Sequence, residues 1–125
     1  FQATIVGSAP ALEVREDKAS ITLSFEDGSF GTIHYLANGG SVFPKERIEV
    51  FCNNSVLQMN NYRELKGYGW HGFKNMKTFR QDKGQKSCAK AFIDSIKNGD
   101  DSPILYNEII ESSRISIEIA NFLRS

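Results

Sequence analysis

Apolar and polar residues alternate along residues 19–27: Ile21, Leu23 and Phe25 fall on one side, and Ser20, Thr22, Ser24 and Glu26 on the other. A period of two belongs to a strand with one covered face. Asp27-Gly28 supplies the positive φ of a tight hairpin turn, so residues 30–36 return as a second, antiparallel strand. Residues 45–52 alternate again, with Ile48, Val50 and Cys52 opposed to Arg47, Glu49 and Phe51. Asn53-Asn54 reads as the next hairpin turn, because Asn tolerates left-handed geometry better than other non-glycine residues. Residues 56–60 and 62–65 extend the meander.

The periodicity then fails. Residues 66–77, "KGYGWHGFKNMK", hold three glycines without a sustained period and are expected to form a loop with exposed aromatics. Asp82 is placed to cap a helix running to about residue 97, with Cys88, Ala91, Phe92 and Ile96 on one face and Asn98-Gly99 as its stop. After a loop through Pro103, residues 106–123 form a last helix whose stripe is Ile109, Ile110, Ile117, Ala120 and Leu123. Ile115, Ile119 and Phe122 widen that stripe, so burial on more than one side is expected. Strands followed by helices predict an α+β fold: a mostly antiparallel open sheet with helices on one face. Phe30, Phe51 and Tyr62 are left over for the other face, and an uncovered face implies a homo-oligomer, a dimer first of all.

A chain of 125 residues with 40% apolar composition is sized for one domain. No run is long enough to span a bilayer, and "FQATIVGSAP" lacks the n-region and apolar stretch of a signal peptide, so no membrane association and a cytoplasmic location are expected. Phe rather than Met at position 1 reads as a processed chain or a piece of a longer one. Cys52 and Cys88 lie too far apart for a C-x-x-C site, and two buried thiols are the simpler expectation. A formal net charge of zero argues against nucleic acid as a partner. The charge is unevenly spread, however. Residues 1–61 carry four Lys/Arg and seven Asp/Glu, residues 62–90 eight and two, and residues 91–125 three and six.

That basic middle block interleaves Tyr62, Tyr68, Trp70, Phe73 and Phe79 with Arg63, Lys66, Lys74, Lys77 and Arg80. Aromatics that stack and cations that pair with phosphate suit a single-stranded nucleic acid or a nucleotide-activated sugar; the plainer reading is a solvated loop packed by its own rings. His34 and His71 have no HxxH, HExxH or CxxC neighbours, so no metal site is expected; His34, inside a strand, reads as structural. Neither G-x-G-x-x-G nor G-x-x-x-x-G-K follows a strand, and no G-x-S-x-G elbow is present. The chain is expected to bind no dinucleotide and to hold no catalytic group of its own.

The ordered set "FEDGSFGTIHYLANGG", "PKERIEVF", "DKGQKSCAKAFIDSIKNGDDSPI" and "EIIESSRISIEIA" resembles the C-terminal domain of the Gfo/Idh/MocA oxidoreductases, the family of glucose-fructose oxidoreductase and inositol dehydrogenase. The resemblance covers roughly residues 19–123, and "YLANGG" and "KGYGW" are most similar to bacterial members in which this unit follows an alcohol-dehydrogenase-like portion. It implies a parent enzyme with an N-terminal Rossmann domain for NAD or NADP, absent from this chain, and a C-terminal sheet domain that closes over a sugar-like substrate and makes subunit contacts. The family's E-K-P lysine and its His/Asp pair have no counterparts here: Pro44-Lys45-Glu46 runs in the wrong order, and neither histidine has an Asp four residues before it.

The expected role is therefore the substrate-binding and oligomerisation part of an NAD(P)-dependent dehydrogenase for a sugar or polyol derivative, inactive alone. The rival is a free-standing carbohydrate- or nucleotide-sugar-binding module. Candidate substrate contacts are Asn38, Lys45, Trp70, His71 and Lys74: Trp70 to stack on a sugar face, His71 and Asn38 to bond hydroxyls, Lys45 or Lys74 to pair with phosphate or carboxylate. Asn38-Gly39-Gly40 is either a place where backbone approaches a ligand or a wide turn before Pro44, and both readings rest on glycine.

Overall fold

The structure, a computed structural model, describes residues 1–7 and 16–125, and the α+β class is what it shows: two antiparallel sheets and two helices. The chain divides into two compact units, residues 1–40 with 104–125, and residues 41–103. The strands are β1 (Gln2–Ile5), β2 (Lys18–Ser24), β3 (Phe30–Leu36), β4 (Arg47–Cys52), β5 (Ser55–Asn60), β6 (Glu64–Tyr68) and β7 (Asn75–Lys77). The helices are α1 (Gln85–Asn98) and α2 (Tyr106–Arg124). The expected single meander is thus two sheets, ordered β1-β2-β3 and β4-β5-β6-β7.

In the first unit the register sets Ala3 beside Ile21 and Ile21 beside Ile33, with Ile5, Ala19 and Tyr35 in the next row. One face is therefore apolar, and the opposite face carries Thr4, Ser20 and His34 in one row and Gln2, Thr22 and Thr32 in another. The β2–β3 turn follows the sequence closely. Gly28 has φ 84°, and the Asp27 carboxylate accepts bonds from the Ser29 N–H and hydroxyl at 2.9 and 2.6 Å. Those bonds hold the Asp27 carboxyl below the usual carboxylate range. Phe25 falls past the end of β2, in the turn, and is exposed.

Helix α2 packs on β1, and the best-buried apolar residues of this unit are Ala19 and Ile119, 1% and 7% exposed. Ile115 and Leu123, one turn to either side of Ile119, are half-buried, while Ile109, Ile110 and Ile117 are exposed. The helix seam is thus Ile115–Ile119–Leu123, and burial on a second side is not found within the unit. A single helix lies over a sheet edge strand, so only the residues pointing at that strand are covered. At the helix end the Phe122 ring meets Phe1 edge-on at 5.7 Å, and Arg124 pairs with Glu16.

The second unit is a meander joined by tight turns. Asn53 and Asn54 have φ 46° and 57°, and Asn61 and Tyr62 have φ 51° and 49°, so both connections put two successive residues in the left-handed region. Asn53 and Asn54 form the turn expected of them; Tyr62, expected to begin a strand, lies in the second turn, and β6 starts at Glu64. The segment after β7 folds back and holds that turn in place: the Tyr62 carbonyl accepts from the Asp82 N–H at 3.0 Å, Gln81 donates to Asn61 at 2.7 Å, and Lys83 bridges to Glu46 at 2.7 Å. Helix α1 starts at Gln85, not under an Asp82 side-chain cap; Asp82 accepts instead from the Gly84 N–H at 2.8 Å. Within this unit α1 packs on none of β4 to β7, so the expected cover of this sheet by a helix is not found. Cys52 and Cys88 are both free and exposed, not buried, because one ends the edge strand β4 and the other lies on α1.

Replacing Ile119 by Ala should lower unfolding stability by about 2–4 kcal/mol in urea titration, since it empties the one tight contact of α2 with its sheet. The same change at the exposed Ile117 should cost less than about 0.5 kcal/mol.

Candidate functional site

The stretch expected to be a loop, residues 66–77, begins and ends as strand. Lys66, Gly67 and Tyr68 belong to β6 and Asn75–Lys77 form β7, paired across Leu65 and Met76. The alternation is hidden because Gly67 stands at a position of the apolar face and Tyr68 at one of the polar face. Only residues 69–74 arch between the strands.

Two glycines make that arch. A Cβ on Gly67 would lie 2.7 Å from the Phe73 ring, so an edge of the ring occupies the space a side chain there would fill. Gly69, at φ 72°, would meet the Asn54 carbonyl oxygen at 2.7 Å. The arch is pressed against the β4–β5 turn, and the Ser55 hydroxyl donates to the Gly69 carbonyl at 3.1 Å. The indole N–H of Trp70 donates to the Val56 carbonyl at 3.1 Å, and the Gly67 N–H donates to the Lys74 carbonyl at 2.8 Å. Both ends of the arch are therefore tied to the sheet by hydrogen bonds, one of them from the Trp70 indole itself.

Between them lies a shallow cavity of about 380 Å³ lined by Trp70, Gly72, Phe73, Lys74 and Asn75. Of the five residues expected to contact substrate, the structure brings together two, Trp70 and Lys74. His71 is exposed in the same arch but is not part of the lining. Lys45 is exposed before β4, away from the lining, and Asn38 belongs to the other unit. Phe73 and Asn75 complete the cavity and were not singled out from the sequence. Phe73 gave a signal, since an aromatic six residues after a strand glycine has a bare stretch of backbone to pack on.

The Asn38-Gly39-Gly40 segment reads differently in three dimensions. Neither glycine has a left-handed φ, and a Cβ on Gly39 would come no nearer than 3.8 Å to the Leu36 carbonyl oxygen, with open space at Gly40. Glycine is not required there by the chain itself. The positions that cannot take a side chain are Gly67 and Gly69.

The positive block is paired with carboxylates only in part where it folds. Lys66 and Lys77 flank Glu64 at 3.4 and 3.8 Å, and Arg63 donates to the Thr78 carbonyl at 3.4 Å. On the same polar sheet face Arg47 reaches Glu49 at 2.6 Å, and Gln58 donates to Glu49 at 2.7 Å. Arg47, and after it Gln58, hold the Glu49 carboxyl below its ordinary range. The opposite face of this sheet is apolar: Ile48 and Val50 of β4, Leu57 and Met59 of β5, Leu65 of β6 and Met76 of β7 share it by register. Ile48, Val50 and Met76 are 49%, 46% and 57% exposed, so within the unit this face is open.

Among the described residues no group of three or more His, Cys, Asp or Glu is gathered for a metal, and no helix is long and apolar enough to cross a membrane. Helix α1 follows the irregular residues 78–84, with the Asp82 carboxylate at its start, and α2 follows another helix, so neither N-terminus opens from a glycine-rich turn after a strand. Comparison of the chain with protein-family models, curated proteins and solved structures gives no match.

Gly69→Ala should cost about 1–3 kcal/mol of stability, because the alanine faces both a left-handed φ and the Asn54 oxygen. Gly39→Ala and Gly40→Ala should each stay within about 1 kcal/mol of the parent, and thermal melts of the three variants separate the two classes. A melt in which Gly39→Ala falls as far as Gly69→Ala would return the close-approach role to the first loop.

Proposed function

We propose that this chain is the substrate-binding and assembly part of an NAD(P)-dependent oxidoreductase acting on a sugar or polyol derivative. The observation that carries the reading is the arch at residues 69–74, where an indole fixed by its own N–H bond and a neighbouring ammonium border one small cavity. A fixed aromatic face with a few polar groups at its margin suits a ring-shaped polyhydroxylated ligand better than a long flexible one. The chemistry such an enzyme performs is hydride transfer from a carbinol carbon to a nicotinamide, with a base taking the hydroxyl proton. Neither the nicotinamide site nor the base is assigned to this chain; its residues hold and orient the substrate. The resemblance of residues 19–123 to the Gfo/Idh/MocA C-terminal domain supplies the reaction class.

A second reading, a carbohydrate-binding module without catalysis, is favoured by one observation: the cavity is lined by residues of a single unit. In either case the partner at the open apolar face of β4 to β7 is a second copy of this chain. Two flat, twisted sheets pack face to face at about 10 Å separation, and a two-fold axis brings the same apolar rows together.

In the whole protein, Trp70→Ala should raise KM for the sugar substrate about tenfold to a hundredfold with kcat little changed, because stacking serves binding and not the chemical step. Tyr106→Ala, exposed on α2, should leave both alone. Absence of any NAD(P)-linked turnover across a panel of sugars and polyols would remove the enzyme reading and leave the module. Calorimetric titration of the 125-residue chain with NAD(H) and NADP(H) should show no binding. Micromolar affinity would contradict the division of labour. Sedimentation velocity at micromolar concentration should show a dimer that Val50→Lys converts to monomer, and a parent chain that is already monomeric would refute the face-to-face pairing.

A further inference from the structure

In the four-stranded unit five of the eleven Lys and Arg side chains pair with a carboxylate. Arg47 pairs with Glu49, Lys66 and Lys77 with Glu64, Lys83 with Glu46, and Lys90 with Asp94. Lys74 is among the others, with no carboxylate within 4.0 Å of its ammonium among the described residues, and it is the cation that lines the Trp70 cavity. The cavity it borders contains no acid in its lining, only Trp70, Gly72, Phe73 and Asn75 beside it. Its main chain is pinned by the bond from the Gly67 N–H, so the base of the side chain is held at the margin.

From this we infer that the ligand of the Trp70 cavity is a compact ring bearing a single anionic group, with Lys74 pairing that group and Trp70 carrying the ring. The inference rests on the carbohydrate-binding reading of the same cavity. Two features narrow the class. An exposed ammonium holds a free anion only weakly, so the anion must arrive on a body that also gains from the aromatic walls. At about 380 Å³ the cavity sits near the lower end of the roughly 300–1,000 Å³ range of ligand sites, which suits a monosaccharide acid or phosphate rather than a dinucleotide. Asn75, with both donor and acceptor, is placed to bond ring hydroxyls.

The chain contains one tryptophan, so its emission reports this cavity alone. Titrating the parent chain with glucuronate and with glucose 6-phosphate should give saturable changes in emission, at least about tenfold tighter than with glucose. The order of the two charged sugars tells carboxylate from phosphate. Lys74→Gln should bring both down to the glucose level without altering glucose itself, and Lys74→Arg should keep most of the difference. If glucose binds as tightly as glucuronate, or Lys74→Gln leaves the charged sugars unchanged, the anionic class is overturned while carbohydrate binding stands. Inorganic phosphate binding as tightly as glucose 6-phosphate overturns it as well, because the ring would then contribute nothing. If no sugar of any charge changes the emission, the carbohydrate reading of the cavity falls together with this inference.

Discussion

The close approach of backbone to backbone at Gly69 is the constraint on which the rest of the candidate site depends. The arch crosses the β4–β5 turn where a Cβ would sit 2.7 Å from a carbonyl oxygen, and nothing larger than hydrogen fits. Because the arch lies so low, the next residue can turn its indole N–H onto the Val56 carbonyl, and the Phe73 ring can lie on bare β6. The cavity is thus a by-product of tight chain packing. Its indole is bonded to the sheet before any ligand comes, which lessens the ordering left to be done on binding.

The parts of the fold legible in the sequence are those governed by local chemistry. Asp27-Gly28 and Asn53-Asn54 specify their turns by side-chain size and by bonds to nearby amides, so both hairpins could be placed to the residue. The α2 helix could be bounded within a residue or so at each end, although its buried seam could not. Apolar residues occupy more than half of its circumference, and which of them is covered depends on a strand, β1, that is four residues long and carries little pattern of its own. Tyr62 shows another limit. A bulky residue at φ 49° is opposed by its own sterics, and the turn is held from far along the chain: the Asp82 N–H bonds the Tyr62 carbonyl, Gln81 bonds the neighbouring Asn61, and the Lys83 ammonium lies 6.0 Å from the Tyr62 ring centre.

At the site, residue type was informative and residue grouping was not. Trp70 and Lys74 stand out in the sequence because an aromatic and a cation lie within one glycine-rich stretch. Asn38 and Lys45 had the right chemistry, but composition carries no distance, and the two fall on either side of the boundary between units. The glycines drew attention in the wrong place for a related reason: a glycine pair looks equally permissive whether or not another part of the chain crosses it. Which cations of the middle block are paired was equally hidden, since Glu64 sits between Lys66 and Lys77 only once the strands have paired.

The two outer strands of the four-stranded sheet have a bearing on how the molecule behaves in concentrated solution. Strand β7 is three residues long, and β4 carries the ion-paired Arg47 and Glu49 along its polar side. A short border on one side and a charged one on the other are poor templates for an incoming strand. Lateral growth into fibrils is therefore discouraged at both margins, although the apolar surface between them is open. Stickiness in this unit is confined to a direction perpendicular to the sheet, in which growth ends once two surfaces have met.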